Sequence, residues 1–116
     1  MAQSAVEDCL FCKISAGDIP ATIVWEDERA VAFADINPQA PTHVLVIPRK
    51  HVADIAEAGE DPEAAADLLH GVAQVARHLE LEHFRTVFNT GTGSGQSVFH
   101  VHGHVLAGRQ LQWPPG

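Results

Sequence analysis

The sequence predicts an α+β domain, a five-stranded and mostly antiparallel sheet with one long helix and one short helix. Three observations carry that expectation. Short runs rich in Val, Ile and Phe recur between turn signals along the 116 residues. The segment 61–79 places apolar residues three and four apart behind a helix-start signature. The connections between strand-like runs are short, which favours antiparallel pairing with the long helix on one face.

The elements follow in order. CLFCKIS (9–15) is apolar at irregular spacing and runs into AGDIP (16–20), a turn or a helix stop. ATIVWED (21–27) and AVAFADI (30–36) flank the charged tip Glu26 to Arg29, which reads as a hairpin. NPQAPT (37–42) is a loop by its two prolines and Asn37. HVLVIP (43–48) is a near-continuous apolar run closed by Pro48, as a central strand requires. Asp54 to Ala58 fits a short helix. Asp61 followed by Pro62 supplies an N-cap and a proline at the first helical position. Leu68, Leu69, Val72, Val75, Ala76 and Leu79 then form one stripe on a helix of about six turns. RTVFNTG (85–91) and SVFHVHGHVLAG (97–108) are the fourth and fifth strands. Pro114 and Pro115 keep the end of the tail RQLQWPPG from being helical. No repeat, linker or low-complexity tract divides the chain, so residues 1–116 are expected to form one domain.

Composition narrows the function. Apolar residues make up 46% of the chain, enough for a sizeable core, and no run of 18 apolar residues exists to span a bilayer. The N-terminal MAQSAVEDCLFC lacks a basic region and a long apolar stretch, so no signal peptide is expected and a cytoplasmic location follows. Seven Lys and Arg against 15 Asp and Glu give a net charge of −8, which argues against nucleic-acid binding. A small phosphorylated ligand is still allowed, because backbone N–H groups and imidazoles hold one locally.

The chemistry concentrates in the fifth strand-like run. His100, His102 and His104 alternate strictly, and on a strand they would share one face at roughly 6.6 Å spacing. Val101, Gly103 and Val105 would cover the core from the other face. A metal site, a nucleophilic or acid–base centre and a half-buried strand are all open readings. Ring nitrogens on successive same-face positions do not readily close on one ion. Imidazole titrates near neutrality and is a competent nucleophile at phosphorus, and His102 has a histidine on either side to orient it. The preceding loop NTGTGSGQS (89–97) adds Gly91, Gly93 and Gly95, whose backbone can turn several N–H groups toward an anion, with Asn89 and Ser97 as polar side chains. Such loops are mostly plain hairpin connections; one leading into a histidine row fits a phosphate cradle.

Other residues carry weaker signals. Cys9 and Cys12 form a C-x-x-C, readable as a metal half-site, a redox pair or two thiols in an apolar cluster. A tetrahedral zinc site needs two more ligands. His70, His78 and His83 read as solvated positions on or just after the long helix. Asp35, two residues before Asn37-Pro38, reads as a turn-capping carboxylate, and the acidic run Glu57, Glu60, Asp61 and Glu63 as a solvated helix start.

From about Cys9 to Gly116 the chain resembles the histidine triad (HIT) family, and within it the Hint branch of adenosine phosphoramidases. The resemblance rests on CLFCKI, GDIPA, VAFADINPQAPTHVLVIPRKH, GQSVFHVHGHVLAGRQ and the closing WPPG. Gly103 departs from the pattern, which has a bulkier apolar residue there; altered packing with little change in chemistry is expected. The resemblance implies a HIT-like fold and a homodimer in which Trp113 and the C-terminal tail lie near the partner's site. It also implies hydrolysis of adenosine 5′-phosphoramidates or acyl-adenylates to AMP through a nucleotidyl-histidine.

By the same resemblance His102 would be the nucleophile, with His104 and Asn89 contacting phosphate oxygens together with Gly95, Gln96 and Ser97. His43 would assist proton traffic. Asp35 would bind the ribose hydroxyls, and Phe11, Ile14, Phe33, Ile36 and Leu45 would enclose the purine. A structural zinc on Cys9, Cys12, His51 and His100 is implied as well; without it His100 would orient His102. No organic cofactor is expected. A nucleotide-binding scaffold or a zinc-binding interaction protein with incidental turnover is the alternative. A dinucleoside polyphosphate hydrolase is disfavoured by the WPPG tail and the short chain.

Overall fold

The computed structural model describes residues 8–116. The elements are α1 (Leu10–Ala16), β1 (Ile23–Glu26), β2 (Ala30–Ala34), β3 (Thr42–Pro48), α2 (Ile55–Gly59), α3 (Pro62–His78), β4 (Arg85–Val87) and β5 (Gly103–Ala107), with a 3₁₀ turn at Thr92–Ser94. The strands form one sheet in the order β1-β2-β3-β5-β4, and every neighbouring pair is antiparallel. The expected α+β fold stands.

Alternation along the strands gives the sheet two different faces. Ala32, Val44, Val46 and Val105 turn to one side and pack on Val72 and Val75 of α3. Val31, Phe33, Leu45 and Ile47 turn to the other and pack on Phe11, Cys9 and Cys12 of the N-terminal arm. α3 lies close to the sheet because Gly71 has no side chain: a Cβ there would come within 2.6 Å of Val46 Cγ1. Asp61 caps α3 by accepting from the Ala64 N–H at 3.1 Å, and Pro62 opens it. The helix is 17 residues long, shorter than six turns. It stops at Leu79, where the chain turns through Glu80 at φ 55°.

Two further expectations are corrected, and one segment that carried no assignment gains an element. CLFCKIS is a helix: Cys9 is its N-cap, with Sγ accepting from the Cys12 N–H at 3.2 Å, and Gly17 ends it in the left-handed region. The fourth strand covers only Arg85–Val87. The fifth begins at Gly103 and not at Ser97, so His100 and His102 precede it. The segment before β5 takes its partners from the 51–53 connection: the Val101 N–H donates to Val52 O at 2.8 Å, and Gln96 Nε2 donates to Ala53 O at 2.8 Å. The expected facing survives the loss of strand geometry. Val101 packs with Leu68 below the sheet, and the His102 and His104 rings lie 5.1 Å apart on the opposite side.

Candidate active site

Two of the three histidines are held directly by main-chain groups, and the third through His43, itself held by one. His100 is fully buried, and its Nε2 lies 2.8 Å from Pro48 O. A carbonyl only accepts, so Nε2 carries the proton and Nδ1 presents a lone pair. His102, 9% exposed, places Nδ1 2.8 Å from His100 O, which puts its proton on Nδ1 and the lone pair on Nε2. No buried side-chain nitrogen or oxygen among the described residues lacks a hydrogen-bond partner, and no residue pairs with His102 Nε2, so that atom reaches solvent. His104, paired with Leu45 across β3 and β5, sets Nδ1 2.9 Å from His43 Nε2. The Gln39 N–H donates to His43 Nδ1 at 3.0 Å. His43 Nε2 therefore holds the proton and donates to His104, whose own proton sits on Nε2.

Electrostatics keep these rings neutral. Burial is the largest influence on each. It lowers His102 against the raising effects of His100 O and Asp35, and it brings His104 to about 4 with help from His102 and His43. His100 is likewise brought to about 4 by burial, against the Pro48 carbonyl, with His51 and His102 adding to the fall. A neutral imidazole with an accessible Nε2 lone pair is a nucleophile, and a neighbouring Nε2–H is a donor to an anion.

A second cluster adjoins the first. Cys9 Sγ lies 3.3 Å from His100 Nδ1, Cys12 Sγ 3.4 Å from His51 Nδ1 and 3.5 Å from His100 Nδ1, and the two Nδ1 atoms are 3.3 Å apart. Tetrahedral zinc with ~2.0–2.1 Å bonds to nitrogen and ~2.3 Å to sulfur has ligand–ligand edges of roughly 3.3 to 3.6 Å between those atoms. The donor set fits zinc on chemistry and on spacing. The Pro48 carbonyl behind His100 is the outer-shell acceptor such a ligand needs.

Asp35, His43 and His104 also bring ligand atoms within 4.8 Å of one another. The Gln39 N–H on His43 Nδ1 argues against a metal there, because it leaves a proton and not a lone pair on the inward nitrogen.

The remaining expected residues divide. Asn89 lies beside Gly95: a Cβ on the glycine would be 3.8 Å from Asn89 Nδ2. Ser97 and Gly95 are exposed on the same loop. Gln96 is buried and its side chain is committed to the main chain, accepting from Gly91 N–H and donating to Ala53 O and Val98 O, so it braces the loop. Phe11, Phe33 and Leu45 are buried together with Ile14 packed against them, whereas Ile36 is fully exposed outside that group. Asp35 accepts from the Asn37 N–H at 2.8 Å as a turn cap, and its other oxygen stands 3.4 Å from His43 Nε2. Trp113 is 81% exposed, 6.0 Å from the Arg85 guanidinium.

His78 and His83 are exposed as expected. His70 is not a solvated position: it is half-buried, with Nε2 2.7 Å from Asp27 Oδ2 and its ring beside Trp25. Burial tends to raise the Asp27 carboxyl, yet His70 and the Arg29 and Ala30 N–H groups together hold it below the usual range. Sequence reasoning missed two main-chain partners of the site, Gln39 N–H and Pro48 O. Backbone groups carry no residue signature; Pro38 marks only the loop before Gln39, and Pro48 only the end of β3.

Gly103 has a packing reason. A Cβ there would meet Phe88 Cε1 at 2.9 Å and Thr86 Cγ2 at 3.3 Å, so the Phe88 ring fills the space that a larger residue would take. A wide groove of about 1240 Å³ lies elsewhere, between Glu80–Arg85 and Ala107–Leu111, and none of the three clustered histidines lines it.

Comparison with known proteins agrees with the geometry. The sequence profile of the HIT domain matches residues 16–111. A 14 kDa zinc-binding protein of Zea mays is 47% identical over 111 residues, covering 92% of this chain and 87% of its own. A HIT family hydrolase of Legionella pneumophila superposes with a TM-score of 0.79 at 50% identity, covering 94% and 100% of the two chains. A histidine triad nucleotide-binding protein of Candida albicans superposes at 0.77 with 31% identity, covering 92% and 83%. The histidine arrangement, the sheet and these likenesses together show that the chain belongs to the histidine triad family.

Proposed function

We propose that the chain is a purine nucleoside phosphoramidase of the Hint kind, with His102 as nucleophile. The observation that carries this is the His102 ring, neutral by burial, its Nδ1–H tied to His100 O at 2.8 Å and its Nε2 lone pair open to solvent. The hydrolase and nucleotide-binding names of the Legionella and Candida relatives support the reaction class and the ligand.

The chemistry balances with the residues present. His104 stays neutral down to about 4 and offers its Nε2–H to a phosphate oxygen. His102 Nε2 attacks the α-phosphorus and the P–N bond to the amine breaks. The departing amine takes a proton from a water molecule, leaving hydroxide. The cationic nucleotidyl-histidine keeps its Nδ1–H on the His100 carbonyl. The hydroxide then displaces His102, giving AMP and restoring the neutral ring.

His43 sets the tautomer of His104, and Asn89, Gly95 and Ser97 surround the phosphate. Asp35 faces the ribose, and Phe11, Ile14, Phe33 and Leu45 the base. Cys9, Cys12, His51 and His100 would hold a structural zinc, as the name of the maize relative supports; it supplies cross-linking of the arm to the sheet and no step of the reaction. A cytoplasmic homodimer joined in part through Trp113 completes the proposal.

Incubation with adenosine 5′-phosphoramidate should release AMP. His102→Ala should lower turnover by at least about a thousandfold, the order expected for loss of a covalent nucleophile. Retained turnover in that variant would exclude His102 from the role, and AMP binding by the wild type without turnover would favour a nucleotide-binding scaffold.

A further inference from the structure

The two clusters share residues, and the sharing is directional. His100 gives its ring to the cysteine cluster, with Nδ1 3.3 Å from Cys9 Sγ, and its main-chain carbonyl to His102 Nδ1 at 2.8 Å. Phe11 sits between the two cysteines in sequence, and its ring lies edge-on to His102 at 5.0 Å, to Phe33 at 5.2 Å and to His100 at 6.2 Å. His51 lies in the connection that binds the segment before β5 through Val52 O. The strand ladder starts only at Gly103, so sheet pairing does not fix the backbone at His100 and His102. What fixes it is the cysteine–histidine corner together with Val52 O.

We infer that metal binding by Cys9, Cys12, His51 and His100 positions the His102 imidazole, through the His100 carbonyl and the Phe11 ring. His100 and Phe11 are positioning residues here: one selects the Nδ1–H tautomer and the other limits ring rotation. Without an ion, the two Nδ1 lone pairs of the corner and the neighbouring thiols have nothing to draw them together, and the His100–Val101 peptide is left to the single Val101 N–H bond to Val52 O. The proton partner of the His102 ring is then held less tightly. This inference rests on the reading of His102 as the nucleophile only for its effect on rate; the effect on tautomer is independent of it.

The test compares the protein loaded with one equivalent of Zn²⁺, the same protein stripped by a chelator, and His51→Ala. Nitrogen-15 NMR of the imidazoles, recorded without nucleotide, reads the His102 tautomer. The loaded protein should show a single Nδ1–H form. The stripped protein and His51→Ala should show an averaged tautomer, with kcat reduced about tenfold or more and KM changed by less than about twofold, the scale of outer-shell losses.

Wild-type protein that takes up no zinc, or a His102 signature and kcat identical with and without it, overturns the inference. Where stripping unfolds the chain, zinc-loaded Phe11→Leu decides: it should keep its metal yet lose the single tautomer signature, and an unchanged signature there overturns the inference. An NMR response without phosphoramidate turnover would refute the proposed reaction and leave the coupling standing.

Discussion

The two clusters flanking His102 are built from similar parts and point to different work. At the arm, Cys9, Cys12, His51 and His100 bring four ligand atoms together; on the strands, Asp35, His43 and His104 bring three. In each, one imidazole is oriented by a main-chain group, but by groups of opposite polarity. Pro48 O takes the proton of His100 on the outer nitrogen and leaves a lone pair inside. Gln39 N–H occupies the outer nitrogen of His43 and leaves a proton inside. A cluster of inward lone pairs asks for a cation. A cluster with an inward proton passes hydrogen bonds along to the next ring and ends in a donor suited to an anion. The polarity of one backbone contact, more than the choice of side chains, separates the corner that suits a cation from the corner that suits an anion.

Breaking the two corners separately should give distinct losses. Removing zinc has the largest expected effect. At a thousandfold excess over Kd, binding to the native state alone is worth about 4 kcal/mol. Stripping should therefore lower the melting temperature by more than ~10 °C for a chain of this size, as calorimetry would read. An unchanged melt would mean that the corner holds no ion of consequence.

His43→Gln addresses the other corner. It should lower phosphoramidate turnover by about a hundredfold, about 2.7 kcal/mol in the barrier, while zinc content by metal analysis stays that of the wild type. Loss of zinc along with rate would show that the corners are not separable from this side.

The pH response sharpens the contrast further. His104 is depressed to about 4 in the folded chain, against an unfolded value near 6.5. Between those values the unfolded chain binds a proton that the folded one refuses, so this contribution to stability is complete above about pH 6.5. It is lost as the pH falls toward 4. Denaturant titrations of zinc-free protein at pH 7.5, 5.5 and 4.5 should follow that order, and His104→Gln should flatten the slope. Stability rising on acidification across this window would contradict the neutral ring.

The smallest effect belongs to Gly103, which faces away from both corners. Gly103→Ala should cost about 1–2 kcal/mol by overpacking against Phe88, with zinc content and kcat near wild type. Phe88→Leu in the same chain should recover part of that cost in a chemical-denaturation midpoint.

Much of this was legible in the residues. Asp61-Pro62 and the stripe through Leu68, Val72 and Val75 located α3, and the near-continuous apolar run HVLVIP located β3 as a central strand covered on both faces. The resemblance to the histidine triad pattern named the residues that the fold brings together in the two clusters. The break before Gly103 was not legible, because a run alternating as SVFHVHGHVLAG carries strand periodicity whether or not a neighbouring strand is there to pair with it. The backbone partners of His43 and His100 were hidden for a similar reason: they depend on how the loop at Pro38 closes and on where the end of β3 lies against His100. His70 with Asp27 is a contact across 43 residues, beyond any local signal.

Arg49 gives the arm a second attachment of another kind. Its guanidinium binds Ser15 O and Oγ at the far end of α1, Asp27 O at the hairpin tip and Glu26, none of which belongs to either corner. The seven-residue helix is therefore a lever, clamped at one end by arginine and latched at the other by thiols. The arm is thus tied to the hairpin tip by contacts that need no ion, beside the Phe11 and cysteine packing that seats it on the sheet.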